Sequence, residues 1–321
     1  MIKRLLRKKY NRDSRKPLLS LVVIIYKMPE QAKKTLFSLS AEYQRDVDPN
    51  EYEVLVMENA SDKPMGKEYV SNLKGNFRYF YRDEKMPTPV PAINEGAAKA
   101  VGDHIAIIVD GARMASPGVV KHMIMATRVA RYTAVAVPGY HIGEKVQQEA
   151  IYSGYGYETE KALLDGINWP EDGYKLFNIA CTSATSRPGF FQPIGESNCI
   201  SVPTEIWNKL GGFEPRFTET GGGQVNLDFY KRVCDLDEVE LVMLAGEGTF
   251  HQFHGGVTTG TMGDEREKIM QAHFDQYKSI RGEYYNPPTK RPMLFGTFKN
   301  ESLRFVDHSI NVARAAYQLN W

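Results

Sequence analysis

The sequence predicts an α/β fold: a mixed, mostly parallel sheet flanked by helices. Apolar runs of strand length alternate with helix-length segments through the first half of the chain, and the connections between them are short. The first run, Leu19 to Ile25, is continuously apolar and rich in Val and Ile, as a strand covered on both faces requires. With 321 residues and 42% hydrophobic composition, the chain can bury a sizeable core as one large domain with additions, or as two domains.

The elements follow in order. After the first strand, Pro29 suits the first turn of a helix, with Glu30 favourable near its N-terminus and Leu36 and Leu39 facing inward. Tyr52 to Met57 reads as the second strand, running into the polar turn Glu58-Asn59-Ala60-Ser61-Asp62, and Phe77 to Tyr81 as a third. A small-residue helix from Ala92 leads through Gly102 into a fourth strand that ends on Asp110. Pro117 opens another helix, and Thr133 to Val137 is a fifth strand. From Tyr140 to Pro193 the pattern is irregular and rich in Gly and Tyr, which suits lids, sugar-facing loops or simple ring packing. Regular structure returns with a strand at Cys199 to Val202, helices at Pro203 to Leu210 and Gln224 to Val233, and a strand at Glu240 to Leu244. Two helices close the chain, Glu265 to Arg281 and Leu303 to Leu319. The second places Phe305, Ile310, Val312 and Ala316 inward, against the body or a second subunit of a homo-oligomer.

Composition excludes several classes. A net charge of +1 argues against a general nucleic-acid binder. No run approaches the roughly 20 apolar residues of a bilayer-spanning helix, and no apolar leader follows the basic start, so a cytoplasmic protein is expected. Cys181, Cys199 and Cys234 are too few and scattered for a disulfide framework or zinc site. Eight Lys and Arg crowd the first sixteen residues, either as a solvated arm or as a peripheral contact with an anionic membrane face.

The chemistry centres on Asp110. An acidic residue at the carboxyl end of a buried strand sits where open α/β sheets bind ligands. It can hold a divalent cation against a diphosphate, or cap the following turn. His251 and His254, running into Gly255-Gly256, can join it on one ion if the strand has opened into a loop; if it has not, only one of them can. Imidazole with carboxylate favours Mn2+ over Mg2+. Gly221-Gly222-Gly223 reads either as a hinge or as backbone N–H groups near a phosphate.

Four segments in order carry a resemblance: Leu19 to Glu30, Val54 to Asp62, Asn94 to Asp110, and Leu210-Gly211-Gly212-Phe213-Glu214-Pro215-Arg216-Phe217. Together they resemble the GT-A-fold glycosyltransferases, and specifically glycosyltransferase family two, over roughly Leu19 to Gly260. The resemblance implies a metal-dependent, hexosyltransferase-like enzyme that moves a sugar from a UDP- or GDP-linked donor to a hydroxyl of a glycan, lipid-linked or small-molecule acceptor, in polysaccharide or glycoconjugate biosynthesis. It places Ile25, Tyr26 and Glu58 beside the nucleobase, Asn94 near the ribose and diphosphate, with helix capping as the alternative for Asn94, and Asp110-Gly111 at the start of the Asp-x-Asp motif. Two departures stand out: that motif reads Asp110-Gly111-Ala112, and the Glu-Asp pair after the Gly-Gly-Phe element reads Gly223-Gln224. An amide cannot take a proton as a base, so Glu196, Glu219 and Asp228 are the candidates, in that order. With a base the reaction inverts the anomeric centre; without one a retaining route opens. The lost carboxylates also admit a catalytically silent scaffold that binds nucleotide sugars or glycans. The expected organisation is a basic arm at 1–17, the transferase domain at 18–260 and a helical extension at 261–321.

Overall fold

The computed structural model describes residues 16–256 and 260–318. Most of the basic arm, residues 257–259 after the two histidines, and residues 319–321, where the last helix was expected to end, lie outside the described residues. In chain order the elements begin β1 (Leu19–Ile25), α1 (Pro29–Ser38), β2 (Tyr52–Asn59), α2 (Lys67–Ser71), β3 (Phe77–Arg82), α3 (Val90–Lys99), β4 (His104–Ile108) and β5 (Arg113–Ala115). They continue with α4 (Val119–Ala126), β6 (Thr133–Ala136), β7 (Gly139–Ile142), α5 (Gln147–Ala150), α6 (Tyr157–Ile167), β8 (Ala180–Thr182), β9 (Cys199–Pro203) and α7 (Thr204–Leu210). Last come α8 (Val225–Cys234), β10 (Glu240–Ala245), β11 (Thr249–His251), α9 (Gly263–Arg281), β12 (Met293–Gly296) and α10 (Leu303–Tyr317).

Eight strands form the main sheet in the order β12-β10-β6-β9-β4-β1-β2-β3. All its pairings are parallel except those of β9, which runs antiparallel to β4 and β6. Every residue of β1 is buried, with Val22 and Ile24 in one apolar cluster and Leu21, Val23 and Ile25 in the other. A period of two thus divides one continuous run between two cores, the physical reason that central parallel strands show no polar face.

A second sheet of four strands, β5-β11-β7-β8, stands at the carboxyl end of β4. Its register lines up one residue per strand: Arg113 opposite His251, His251 opposite His141, and His141 opposite Cys181. The adjacent row is Met114, Phe250 and Tyr140, on the other face. There Tyr140 stacks on Phe250 at 5.4 Å, and Phe177 packs edge-on to both. Phe305 of α10 closes the cluster at 4.6 Å from Tyr140. One face of the sheet is aromatic core and the other carries a polar row.

Three expectations are corrected. The stretch from Tyr140 to Pro193 is not one irregular loop: it supplies β7, β8 and the eleven-residue α6. Most of its rings are packed, including Tyr140, Trp169 and Tyr174, while Tyr152 and Tyr157 are exposed. The segment after residue 260 is not purely helical, since β12 pairs in parallel with β10 at the edge of the main sheet. In α10 Phe305 is buried as expected, but its row continues through Ser309 and Ala313, while Ile310 and Val312 are half-buried and Ala316 is exposed. A small residue is required at Ser309 because the backbone of Gly189 passes against it and Phe190 N–H donates to its Oγ at 3.1 Å. Among the described residues no helix is long and apolar enough to cross a membrane.

Candidate active site

The strand β4 stops at Ile108, so Asp110 lies in the turn between β4 and β5 rather than at the strand's last position. Its Oδ1 accepts from Ala112 N–H at 2.9 Å and its Oδ2 from Arg113 Nε at 2.9 Å. The turn-capping and site-facing readings are therefore compatible. A side-chain carbon on Gly111 would sit 3.0 Å from Ile25 Cγ1 and 3.1 Å from the Ile24 carbonyl, so glycine lets this turn pack onto β1.

The strand β11 ends at His251 and the chain opens into a loop, which brings His254 back against it. The two Nε2 atoms are 3.1 Å apart, and His251 Nε2 is 3.9 Å from Asp110 Oδ2. One ligand atom each from Asp110, His251 and His254 lies within 4.8 Å of the others, a grouping that could hold a cation. The tautomer of His251 is constrained by Gln147 of α5. The Gln147 amide nitrogen donates to the His251 carbonyl at 3.1 Å, which turns its oxygen to His251 Nδ1 at 2.7 Å. That oxygen can only accept, so Nδ1 carries the proton and Nε2 presents a lone pair to Asp110 and His254. His141 is oriented by the same segment: its Nδ1 accepts from Gln147 N–H at 3.0 Å.

The electrostatics follow from burial beside one arginine. Burial lowers the affinity of His251 and His254 for a proton, and the Arg113 charge adds to the effect. His141 is pushed down to about 3 by burial, then by Arg113. For Asp110 burial works against ionisation, but Arg113 and His254 outweigh it and the carboxyl stays below its ordinary value. The loop is braced on both sides of Gln252: Gln252 N–H donates to the Ala112 carbonyl at 2.8 Å, and Phe253 N–H to Glu160 Oε2 at 2.6 Å. Burial pushes the Glu160 carboxyl up to about 7.

The base candidates separate. Glu196 lies three residues before β9, whose Cys199 pairs with Ile108, so it stands at the same sheet edge as Asp110. Its Oε2 accepts from Asn226 Nδ2 at 2.6 Å and its Oε1 from Thr185 Oγ1 at 3.2 Å. Asn226 Oδ1 and Gln224 Oε1, at the start of α8, are buried acceptors without a donor. Glu219 lines an open groove with Arg216 and residues of α9, and is not drawn into the Asp110 cluster. Asp228 is 1% exposed and fully engaged: Arg281 donates to it at 2.6 and 2.9 Å, and Arg232 at 2.8 Å. It joins α8 to α9 through charge-assisted hydrogen bonds to both arginines.

The residues expected around the donor also divide. Tyr26 follows β1 with 42% of its surface exposed, beside Lys27, which reaches Asp62 at 3.4 Å. The Ile25 side chain is wholly in the core. Glu58 is buried and spent on the turn that follows it, accepting from Met65 N–H at 2.5 Å, Gly66 N–H at 3.1 Å and Tyr79 Oη at 2.6 Å. Asn94 does not cap a helix. Mid-way along α3, its amide pairs twice with the Phe213 backbone, at 2.8 and 2.9 Å, and locks α3 to the Gly211-Gly212-Phe213 turn. Gly221, Gly222 and Gly223 all have positive φ, and Gly221 N–H donates to the Pro87 carbonyl, so this turn is built against the loop before α3.

Arg113, His141 and Gln147 were not among the sequence candidates. Arg113 lies three residues after Asp110 and was within reach of inspection. His141 is tied to the site through pairing within the second sheet, and Gln147 of α5 through its hydrogen bonds to His251 and His141.

Known proteins agree with this architecture. The family model described as "Glycosyl transferase family 2" matches residues 20–192. The structure of S. aureus TarS 1-349 is similar with a TM-score of 0.51 at 10% identity, over 92% of this chain and 72% of that one. TarS 1-349 in complex with UDP is similar with a TM-score of 0.51 at 9% identity, over 94% of this chain and 72% of that one. The fold is thus that of GT-A glycosyltransferases. No curated protein sequence matches the chain.

Proposed function

The chain belongs to glycosyl transferase family 2, and on that premise we propose that it moves a sugar from a nucleoside diphosphate donor to a hydroxyl acceptor with a divalent cation held by Asp110, His251 and His254. The observation that carries this reading is the convergence of those three side chains, within 4.8 Å, at the carboxyl end of the central strands. When bound, the cation neutralises charge that develops on the departing diphosphate. The residues fit such an ion: Gln147 presents the His251 lone pair, and Asp110 remains ionised with Oδ2 turned toward His251. His254 Nε2 lies 3.1 Å from His251 Nε2 and, with its proton on Nδ1, would present a lone pair to the same ion. Two imidazoles with one carboxylate favour Mn2+ over Mg2+.

Glu196 is our candidate to take the acceptor's proton, held by Asn226 and Thr185 at the same edge of the sheet. A single displacement assisted by it inverts the anomeric centre. Tyr26, exposed beyond β1, offers the nucleobase an aromatic face. The similar TarS structure in complex with UDP makes uridine donors the first to try, with GDP-sugars next.

The test is release of nucleoside diphosphate from a panel of UDP- and GDP-sugars with Mn2+, for wild type, H251A and E196Q. Turnover by wild type that collapses in H251A supports the reading. Sugar-nucleotide binding that ignores the cation, with no turnover on any donor, would replace it with a silent binding scaffold.

A further inference from the structure

Resting on the donor-site reading above, we propose that Arg113 is a phosphate-binding residue, whose guanidinium grips the donor's diphosphate directly and allows the nucleotide to bind without a cation. Arg113 is 7% exposed, on β5, in the same cross-strand row as His251. Its Nε donates to Asp110 Oδ2 at 2.9 Å, while its Nη1 is buried with no hydrogen-bond partner. An arginine kept only to neutralise Asp110 would present its planar fork to both carboxylate oxygens. Here the carboxylate takes one nitrogen, its other oxygen goes to Ala112 N–H, and a cationic donor is left over. An orphan charged N–H is costly, and an anion arriving at this site removes the penalty.

A charge count sharpens the point. Asp110 and Arg113 form an ion pair, so their charges cancel. The segment Asp110-Gly111-Ala112 holds a single carboxylate. The pair offers no net negative charge and attracts a bare cation weakly, whereas a diphosphate meets an unspent guanidinium. A diphosphate seated on Arg113 adds oxygens beside Asp110 and His251, so the cation binds more tightly to the nucleotide complex than to the free protein.

The experiment is calorimetric titration of UDP and of GDP, first in EDTA and then with MnCl2, into wild type, R113Q, D110N and D110N/R113Q. The double variant removes both charges of the pair and leaves no buried carboxylate alone, so it decides the matter if R113Q does not fold. Wild type and D110N should bind one nucleotide in EDTA. Both arginine variants should lose about tenfold or more of that cation-free affinity, the effect of one charge-assisted hydrogen bond. Cation-free binding unchanged by loss of Arg113, or a wild type that binds only with Mn2+, overturns the proposal and leaves the donor site standing. A wild type that binds neither nucleotide under either condition removes the donor site, and the proposal with it.

Discussion

Replacing Gln147 by Leu separates a cation site from a merely buried histidine. Gln147 is fully buried and makes two hydrogen bonds to the same residue, one to the His251 ring and one to its carbonyl. Leucine is close in volume, so little cavity forms, but two buried polar groups on His251 lose their partner. At roughly 1–3 kcal/mol for each group left unpaired, Q147L should lose about 2–6 kcal/mol of stability in a urea melt. The second effect is specific. Without an acceptor at Nδ1 the ring can carry its proton on Nε2 instead, the atom that faces Asp110. Mn2+ affinity in the presence of UDP should then fall about 10–100-fold. Q147E is the control: its carboxylate still accepts from Nδ1–H, so ion affinity is kept although an oxygen now opposes the His251 carbonyl and lowers stability. Mn2+ affinity is read by electron paramagnetic resonance. Equal affinity in wild type and Q147L, with the expected loss of stability, would refute the cation role of His251 and reduce Gln147 to a packing residue.

Other outcomes follow from the same structure. D228N removes the charge that holds Arg232 and Arg281, so it should cost about 3 kcal/mol in chemical denaturation yet leave kcat per folded molecule unchanged. A collapse of kcat without a loss of stability would return Asp228 to the chemistry. His122 donates toward Glu247, 3.2 Å away and buried, and this bond raises the imidazole pKa above its ordinary 6.5. Its stabilisation is therefore complete below the unfolded value and is lost as pH rises through the raised folded value. The stability gap between wild type and H122Q should accordingly be wide near pH 6 and narrow near pH 9, and a gap that widens with pH would contradict the pairing.

What was legible in the sequence tracks element length. The seven residues of β1 and the eight of β2 carry enough apolar pattern to be read, and their order implied the parallel sheet. The strands β5, β8 and β11 are three residues long, too short for a period of two to register. The second sheet was consequently invisible, and with it the alignment of Arg113, His251 and His141. Asp110 and the His251–His254 pair stood out by residue type and position. Whether the two histidines could converge depended on where β11 ends, which spacing alone does not determine. Asp228 shows the opposite limit: its helical neighbour Arg232 was in view at i+4, but Arg281 arrives from α9, far along the chain. Glu58 and Asn94, which the family resemblance implied as donor contacts, spend their hydrogen bonds on backbone groups and, for Glu58, also on the Tyr79 hydroxyl, a partner choice that residue type does not encode.

The most direct test of the central claim is anomalous diffraction at the manganese edge from crystals soaked with Mn2+ and UDP or GDP. The account predicts one strong peak about 2.0–2.3 Å from a carboxylate oxygen of Asp110 and from the Nε2 atoms of His251 and His254, against the nucleotide's phosphates. A peak elsewhere, or bound nucleotide with no peak between these side chains, would contradict it.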